Sequence, residues 1–297
     1  MTLDPPLQTL VAAELAEPVD PRVTAMAAAI AAEYPGAARA VLFYGSCLRQ
    51  RELDGLMLDF YLIVSDYRAA YGRGWFALAN ALVPPNVFPF EHAGLAAKYA
   101  VLSEADFARL NGPEAGDVSV WARFAQPSRL VWVKDEAARS RTIASVALAA
   151  PTLFALTRPT MVAGRDDPFA VFRAGFALTY GAELRAERME KPGSIVDADA
   201  DYYERIGRAV LAGPALPEQA PRVAARAWRR RRRKGKALTL VRLAKASTTF
   251  AGGVDYLAWK INRHAGTDIK VKPWQRRWPL IGAIVLLPRL LRRGAIR

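Results

Sequence analysis

A single carboxylate interrupts an otherwise apolar run: residues 57–64 read Met-Leu-Asp-Phe-Tyr-Leu-Ile-Val, with Asp59 the one charged position. Burying a carboxylate in such a run is costly unless a cation or hydrogen bonds compensate it. A divalent ion, expected to be Mg²⁺, is one compensating partner; an ion pair with a basic residue such as Lys98 is the other. Upstream, the apolar run 40–44 ends in Tyr44 and is followed by Gly45 and Ser46. Glycine lets backbone N–H groups approach phosphate oxygens closely and serine adds a hydroxyl, so the turn suits a phosphate. The same pair also serves as an ordinary strand-to-helix cap. Turn and carboxylate together point to chemistry on a phosphorylated, Mg²⁺-bound substrate.

Other side chains are candidates for the same chemistry. Strand alternation places Met57, Asp59, Tyr61 and Ile63 on one face. Asp66 is a second, weaker metal-ligand candidate, seven residues on and of opposite parity, while Glu52 and Asp54 precede the strand and either approach the metal or face water. Lys98 and Arg123 are candidates for binding phosphate, arginine being suited to bidentate contact. Tyr180 and Glu183 are three apart on an expected helix and share a face, with Arg185 beside them; local pairs among Glu183, Glu187 and Arg188 are the competing reading. Cys47 adjoins the turn without a histidine near it in sequence, which favours packing over nucleophilic chemistry. One cysteine and two histidines, His92 and His264, exclude a disulfide framework and leave little for a cysteine- or histidine-based metal site.

These residues need elements to hold them. Asp20 and Pro21 read as an N-cap and first helical position, and the Ala-rich stretch to Glu33 continues as helix. Strands are expected at 40–44, 57–64, 95–102 and 129–133, and helices at 137–156 and 168–189. Residues 192–201 read as a loop or strand-bearing connector, and 213–221, rich in Pro and Gly, as a linker. The expected fold is α+β, a mixed sheet with flanking helices, followed by a mainly helical second domain and a basic amphipathic C-terminal tail.

Across 297 residues, 52% are apolar and 24% charged, an ordinary globular composition with a formal charge of +14. The charge is uneven: residues 222–297 hold 21 Lys/Arg against two acids, which leaves the rest of the chain net negative. A run of six cations spans 229–234, and Leu238, Leu240, Val241, Leu243 and Ala244 then recur at helical spacing between Arg242 and Lys245. Farther on, Trp274 and Trp278 flank Arg276 and Arg277, and the apolar run beginning at Leu280 leads to Arg289. Tryptophans and arginines bordering a short apolar stretch match a segment lying in the headgroup zone of an anionic membrane surface. The competing readings are a segment packed against the body as core, and a nucleic-acid-binding run, which is the less favoured. A helix over 280–287 would be only ~12 Å long, too short to cross a bilayer. No export signal is visible near residue 1, so the expected location is peripheral, on the cytoplasmic face of the inner (plasma) membrane.

A Gly-Ser turn, a helix and then an acid on the next strand resemble the outline of the nucleotidyltransferase superfamily. The segments Tyr44-Gly45-Ser46, Met57-Leu58-Asp59-Phe60 and Val64-Ser65-Asp66 resemble, within it, the mitochondrial-type phosphatidate cytidylyltransferases (CDP-diacylglycerol synthases). Lys98-Tyr99, the stretch from Arg123 to Pro127, and Tyr180, Glu183 and Arg185 extend the likeness over about residues 40–190. Tyr61 stands where the superfamily has a second aspartate, a departure that points towards this branch, which shows a single strand aspartate. Two features depart from the branch: Cys47 replaces a second glycine, and the loop before Asp59 is short, with Gln50 out of register. The resemblance implies a catalytic domain over 1–138, a helical domain over 139–221 that completes the site, and a membrane-associating region over 222–297. It implies an enzyme making CDP-diacylglycerol and pyrophosphate from CTP and phosphatidate with Mg²⁺. Asp59, Lys98, Arg123 and Glu183 would be catalytic, Tyr44, Gly45, Ser46, Tyr180 and Arg185 would bind nucleotide, and Asp59 and Asp66 would hold metal. Transfer to a soluble or RNA substrate, and a noncatalytic membrane- or nucleic-acid-binding module, are the alternatives.

Overall fold

The computed structural model describes residues 6–50, 52–72, 74–182, 192–216 and 219–249. Helix α1 (Leu7–Leu15) is followed by α2 (Pro21–Ala32), which starts as its sequence predicts: Pro21 takes the first position and the Asp20 carboxylate accepts from the Arg22 N–H at 2.8 Å. Strand β1 (Ala38–Tyr44) ends at Gly45, a one-turn 3-10 helix (Ser46–Arg49) follows, and β2 is Met57–Val64. Next come α3 (Tyr67–Tyr71), α4 (Trp75–Leu82), β3 (Asn86–His92), β4 (Leu95–Ser103), α5 (Glu104–Asn111), α6 (Trp121–Phe124) and β5 (Ser128–Val133). The remainder is helical: α7 (Glu136–Val146), α8 (Ala149–Thr157), α9 (Pro168–Tyr180), α10 (Pro192–Ala198), α11 (Ala200–Ala212) and α12 (Pro221–Thr249). The architecture is α+β, a mixed sheet flanked by helices.

The five strands run in the order β3-β4-β2-β1-β5. Only β2 and β4 are parallel; β1 pairs antiparallel with both β2 and β5, and β3 antiparallel with β4. Central β2 is covered on both faces, which explains its near-continuous apolar sequence. Leu58, Phe60 and Leu62 meet Val23, Met26 and Ile30 of α2, while Tyr61 and Ile63 face a larger core that reaches Phe124, Phe154, Phe172, Tyr203 and Trp228. One described stretch, Glu136–Thr160, is apolar and long enough by composition to cross a membrane, but two-thirds of its apolar window is buried inside this fold.

Several elements differ from the sequence reading. The helix expected over 137–156 breaks at Ala147 and Leu148 into α7 and α8, so that Leu153 and Phe154 turn into the core. The expected connector at 192–201 is helical, because Ile195, Val196, Tyr202 and Tyr203 all bury apolar surface at helical spacing. Strand β3 has no counterpart in the reading: Pro89 lies within it, as a proline can on an edge strand. The helix expected over 168–189 is observed as α9 as far as Tyr180, and residues 183–191 lie outside the described part.

The cationic run at 229–234 is the middle of α12, a helix docked on the body. The Trp228 indole N–H donates to the Leu156 carbonyl at 2.7 Å, with its ring against Trp121. Gly235 lies so close to the Ala182 carbonyl that any Cβ there would collide. Arg242 donates to the Pro84 carbonyl at 2.8 Å, and the Lys245 ammonium to those of Val83 and Pro85.

Candidate active site

The site grows from one row across the sheet. Tyr44 on β1 lies opposite Asp59 on β2, and Asp59 opposite Lys98 on β4. Residues directly opposite each other share a face, so all three side chains emerge on the same side. Lys98 Nζ is 2.9 Å from Asp59 Oδ1, with the two side chains 30% and 22% exposed. The pair is therefore shielded yet reachable from solvent. Of the two compensating partners considered for Asp59, the lysine is in place.

The other carboxylate oxygen faces the bend. Gly45 has φ +95° and ψ −169°, a conformation essentially reserved for glycine. Asp59 Oδ2 lies 3.3 Å from the point where a Cβ on residue 45 would stand. Glycine is thus needed twice, for the backbone angle and for the approach of the acid. Ser46 opens the 3-10 turn and is exposed beside this contact.

Aromatic packing holds the bend. The Tyr44 and Tyr61 rings are 5.1 Å apart, and both contact Phe124, at 6.1 and 5.2 Å. Tyr61 is a buried packing residue. Burial pushes the Tyr44 phenol well above its ordinary value and the Asp59 charge adds to this, while Arg123, within hydrogen-bond reach of the phenol, acts the other way. Arg123 also donates to the Ser119 carbonyl, which fixes the guanidinium at this edge. The structure thus gathers Tyr44, Gly45, Ser46, Asp59, Lys98 and Arg123.

Cys47 fills space behind the bend and its thiol donates to the Met57 carbonyl at 3.6 Å. Burial, and secondarily Asp59, raise its pKa, which disfavours the thiolate that nucleophilic chemistry requires.

Asp66 is a correction to the sequence reading. It lies beyond the far end of β2, about 20 Å along the strand from Asp59, and caps α3 by accepting from the N–H groups of Arg68 and Ala69 at 2.9 and 2.8 Å. Asp54 faces Arg22 at 3.0 Å, and Glu52 faces solvent. Tyr180, at the end of α9, packs against the core near Tyr203, which in turn faces Asp199 and Arg49. Arg49 and Asp199 form an ion pair at 2.8 Å that ties the 3-10 turn to the start of α11. Neither was singled out in sequence, since nothing local marks partners 150 positions apart. Glu183 and Arg185 lie outside the described residues, as do Trp274, Arg276, Arg277, Trp278, Leu280 and Arg289.

No group of three His, Cys, Asp or Glu side chains able to hold a metal occurs among the described residues. A single carboxylate already paired with lysine does not cage a resident ion. It does fit Mg²⁺ brought in by a triphosphate, since Mg²⁺ is commonly held by one or two carboxylates together with substrate oxygens and water.

No protein-family model and no curated protein matches the sequence. Among solved structures, the chain is similar to a nucleotidyltransferase-like protein from Exiguobacterium sibiricum, with 11% identity, 92% of each chain covered and a TM-score of 0.30. A likeness of that size assigns neither an activity nor a substrate.

Proposed function

We propose that the chain is a nucleotidyltransferase that makes CDP-diacylglycerol from CTP and phosphatidate at a membrane surface. The observation that carries the reading is the joint placement of Gly45, Asp59 and Lys98: a glycine bend, an acid against it and a cation paired to that acid, open to solvent at one sheet end. The likeness of the segments around Tyr44, Asp59 and Lys98 to the mitochondrial-type phosphatidate cytidylyltransferases supports the choice of substrates.

A phosphatidate oxygen attacks the α-phosphorus of CTP, a new P–O bond forms, and the bond to the β-phosphate oxygen breaks to release pyrophosphate. The nucleophile is already anionic, so no strong base is needed, and positioning with charge neutralisation supplies most of the rate. Backbone N–H groups near Gly45 and the Ser46 hydroxyl hold phosphate oxygens. Lys98 and Arg123 neutralise negative charge, and Asp59 fixes the lysine beside the bend. Mg²⁺, when bound with the triphosphate, supplies further charge neutralisation, with Asp59 its protein ligand. The partly buried Tyr44 and the buried Tyr61 and Phe124 hold these groups in place.

The test is pyrophosphate release from each of four nucleoside triphosphates with Mg²⁺ and phosphatidate. Release with CTP that is lost in Asp59→Asn supports the reading, and its absence with every nucleotide refutes it. Because the exposed arginines of α12 would also suit RNA, a parallel arm with a short RNA acceptor separates the second reading, transfer to an RNA end.

A further inference from the structure

Helix α4 carries the most exposed large apolar side chains of the sheet-bearing part of the fold. Trp75 is 53% exposed, Leu78 63% and Leu82 71%, and their spacing places them on a single face of this eight-residue helix. The opposite face is anchored. Asn80 donates to the Val101 carbonyl at 2.9 Å and accepts from the Asn86 N–H, while Asn86 donates to the Phe76 carbonyl at 3.2 Å. The stripe is therefore presented by a fixed helix.

Basic residues flank it, although Asp66 caps α3 and Asp106 accepts from Tyr67 of that helix. Residues 67–90 contain no acid, and Arg68 is exposed on the neighbouring α3. Helix α12 holds 11 Lys/Arg and no acid, and Arg242 and Lys245 near its end clamp the turn at residues 83–85, directly after Leu82. Val241, beside that clamp, is 48% exposed. Along α12, Arg222, Arg226, Arg229, Arg233 and Lys236 fall on one exposed face, and none forms an ion pair among the described residues. Single exposed leucines need no explanation, but a tryptophan and two leucines in line beside acid-free basic elements do.

We infer that the α4 stripe with α12 is a docking surface for an anionic phospholipid bilayer, with Trp75, Leu78 and Leu82 entering the headgroup–acyl boundary and the arginines meeting lipid phosphates. Charge complementarity selects the occupant. Cations alone would suit RNA equally, but aliphatic Leu78 and Leu82 offer no ring for a base to stack on, whereas both gain from apolar burial. This contact belongs to the folded body, and Trp274 and Trp278 lie outside the described residues. It rests on the proposed reaction only in that phosphatidate is drawn from such a bilayer.

The test uses the full chain and vesicles of phosphatidylcholine with or without phosphatidylglycerol. The combined variant Trp75→Ser, Leu78→Ser, Leu82→Ser is expected to partition at least about tenfold more weakly onto anionic vesicles, with its melting temperature preserved. In a second protein, Leu78→Cys carries a polarity-sensitive dye, whose emission is expected to shift to the blue on anionic vesicles and to stay unchanged with RNA. Unchanged partitioning of the triple variant overturns the inference, as does a dye that stays solvent-exposed while the protein pellets with vesicles. A dye already blue-shifted before vesicles are added, in a dimer that the triple variant dissociates, also overturns it by assigning the stripe to a second copy. Pyrophosphate release is measured separately on dispersed short-chain phosphatidate. If no nucleotide reacts and vesicle binding still falls in the triple variant, the proposed reaction fails and the docking surface stands.

Discussion

Asp59 and Lys98 face each other on neighbouring parallel strands, 2.9 Å apart, with the second oxygen of Asp59 turned to the Gly45 bend. One carboxylate thus joins the parallel β2–β4 pair to the turn that ends β1. An ion pair whose members are 30% and 22% exposed lies between a screened surface pair and a buried one, so its net contribution to stability is modest. Its position at the bend is the one the proposed phosphate-binding role requires.

Asp59→Asn is the direct test of that statement. It leaves volume unchanged and removes the charge, so the denaturation midpoint should barely move. Turnover should fall by about two to three orders of magnitude, the scale seen when one electrostatic group is removed from a phosphate- or oxyanion-binding site. Pyrophosphate release and a urea titration on the same preparation separate the two effects. Loss of stability with turnover retained would make the pair structural.

Gly45→Ala acts through backbone and site together. The φ of +95° and the 3.3 Å approach of Asp59 Oδ2 both oppose a Cβ, so a destabilisation of about 1–3 kcal/mol is expected. Asp59 must also shift to admit the methyl group, so turnover should fall in whatever fraction of the protein stays folded. A variant of wild-type stability and activity would show that the bend is not strained.

The central strand and its acid are legible in sequence because β2 is buried on both faces, which leaves Asp59 as a lone break in an apolar run. The alternation that pairs Asp59 with Tyr61 holds, and Lys98 can be named as a partner because it too follows a strand pattern. Asp66 is followed by Tyr-Arg-Ala-Ala, an N-cap signature, and it caps α3 beyond the far end of β2. The docking of α12 is not legible. Trp228, Gly235, Arg242 and Lys245 meet residues tens to more than a hundred positions away, and helical periodicity marks a buried face without naming what covers it.

Cys47 should be chemically quiet. Its thiol is buried and its pKa raised, so alkylation at neutral pH should be slow in the native chain and fast after denaturation. Cys47→Ala should keep turnover within about threefold, since the side chain packs behind the bend and touches no proposed substrate atom. Rapid native-state labelling followed by complete inactivation would move Cys47 into the site.

Lys245 offers a pH test of how α12 is held. Burial, with the nearby Arg242 charge, lowers its pKa from 10.5 to about 7. The ammonium faces the carbonyls of Val83 and Pro85, and Asp117 is engaged by Arg242 instead. Between about 7 and 10.5 the unfolded chain binds a proton at this lysine that the folded chain has released, so stability should rise with pH across that window. Above the ordinary tyrosine range the trend should reverse. Tyr44, Tyr99 and Tyr203 have raised pKa values in the fold, chiefly through burial, and ionise first in the unfolded chain. Urea midpoints at pH 7 and pH 9 should therefore differ in the wild type, with the higher value at pH 9. Lys245→Met keeps the aliphatic stem without the titrating group and should flatten most of that difference. If the variant retains the full rise, the titrating group lies elsewhere and the helix is not held through a deprotonating lysine.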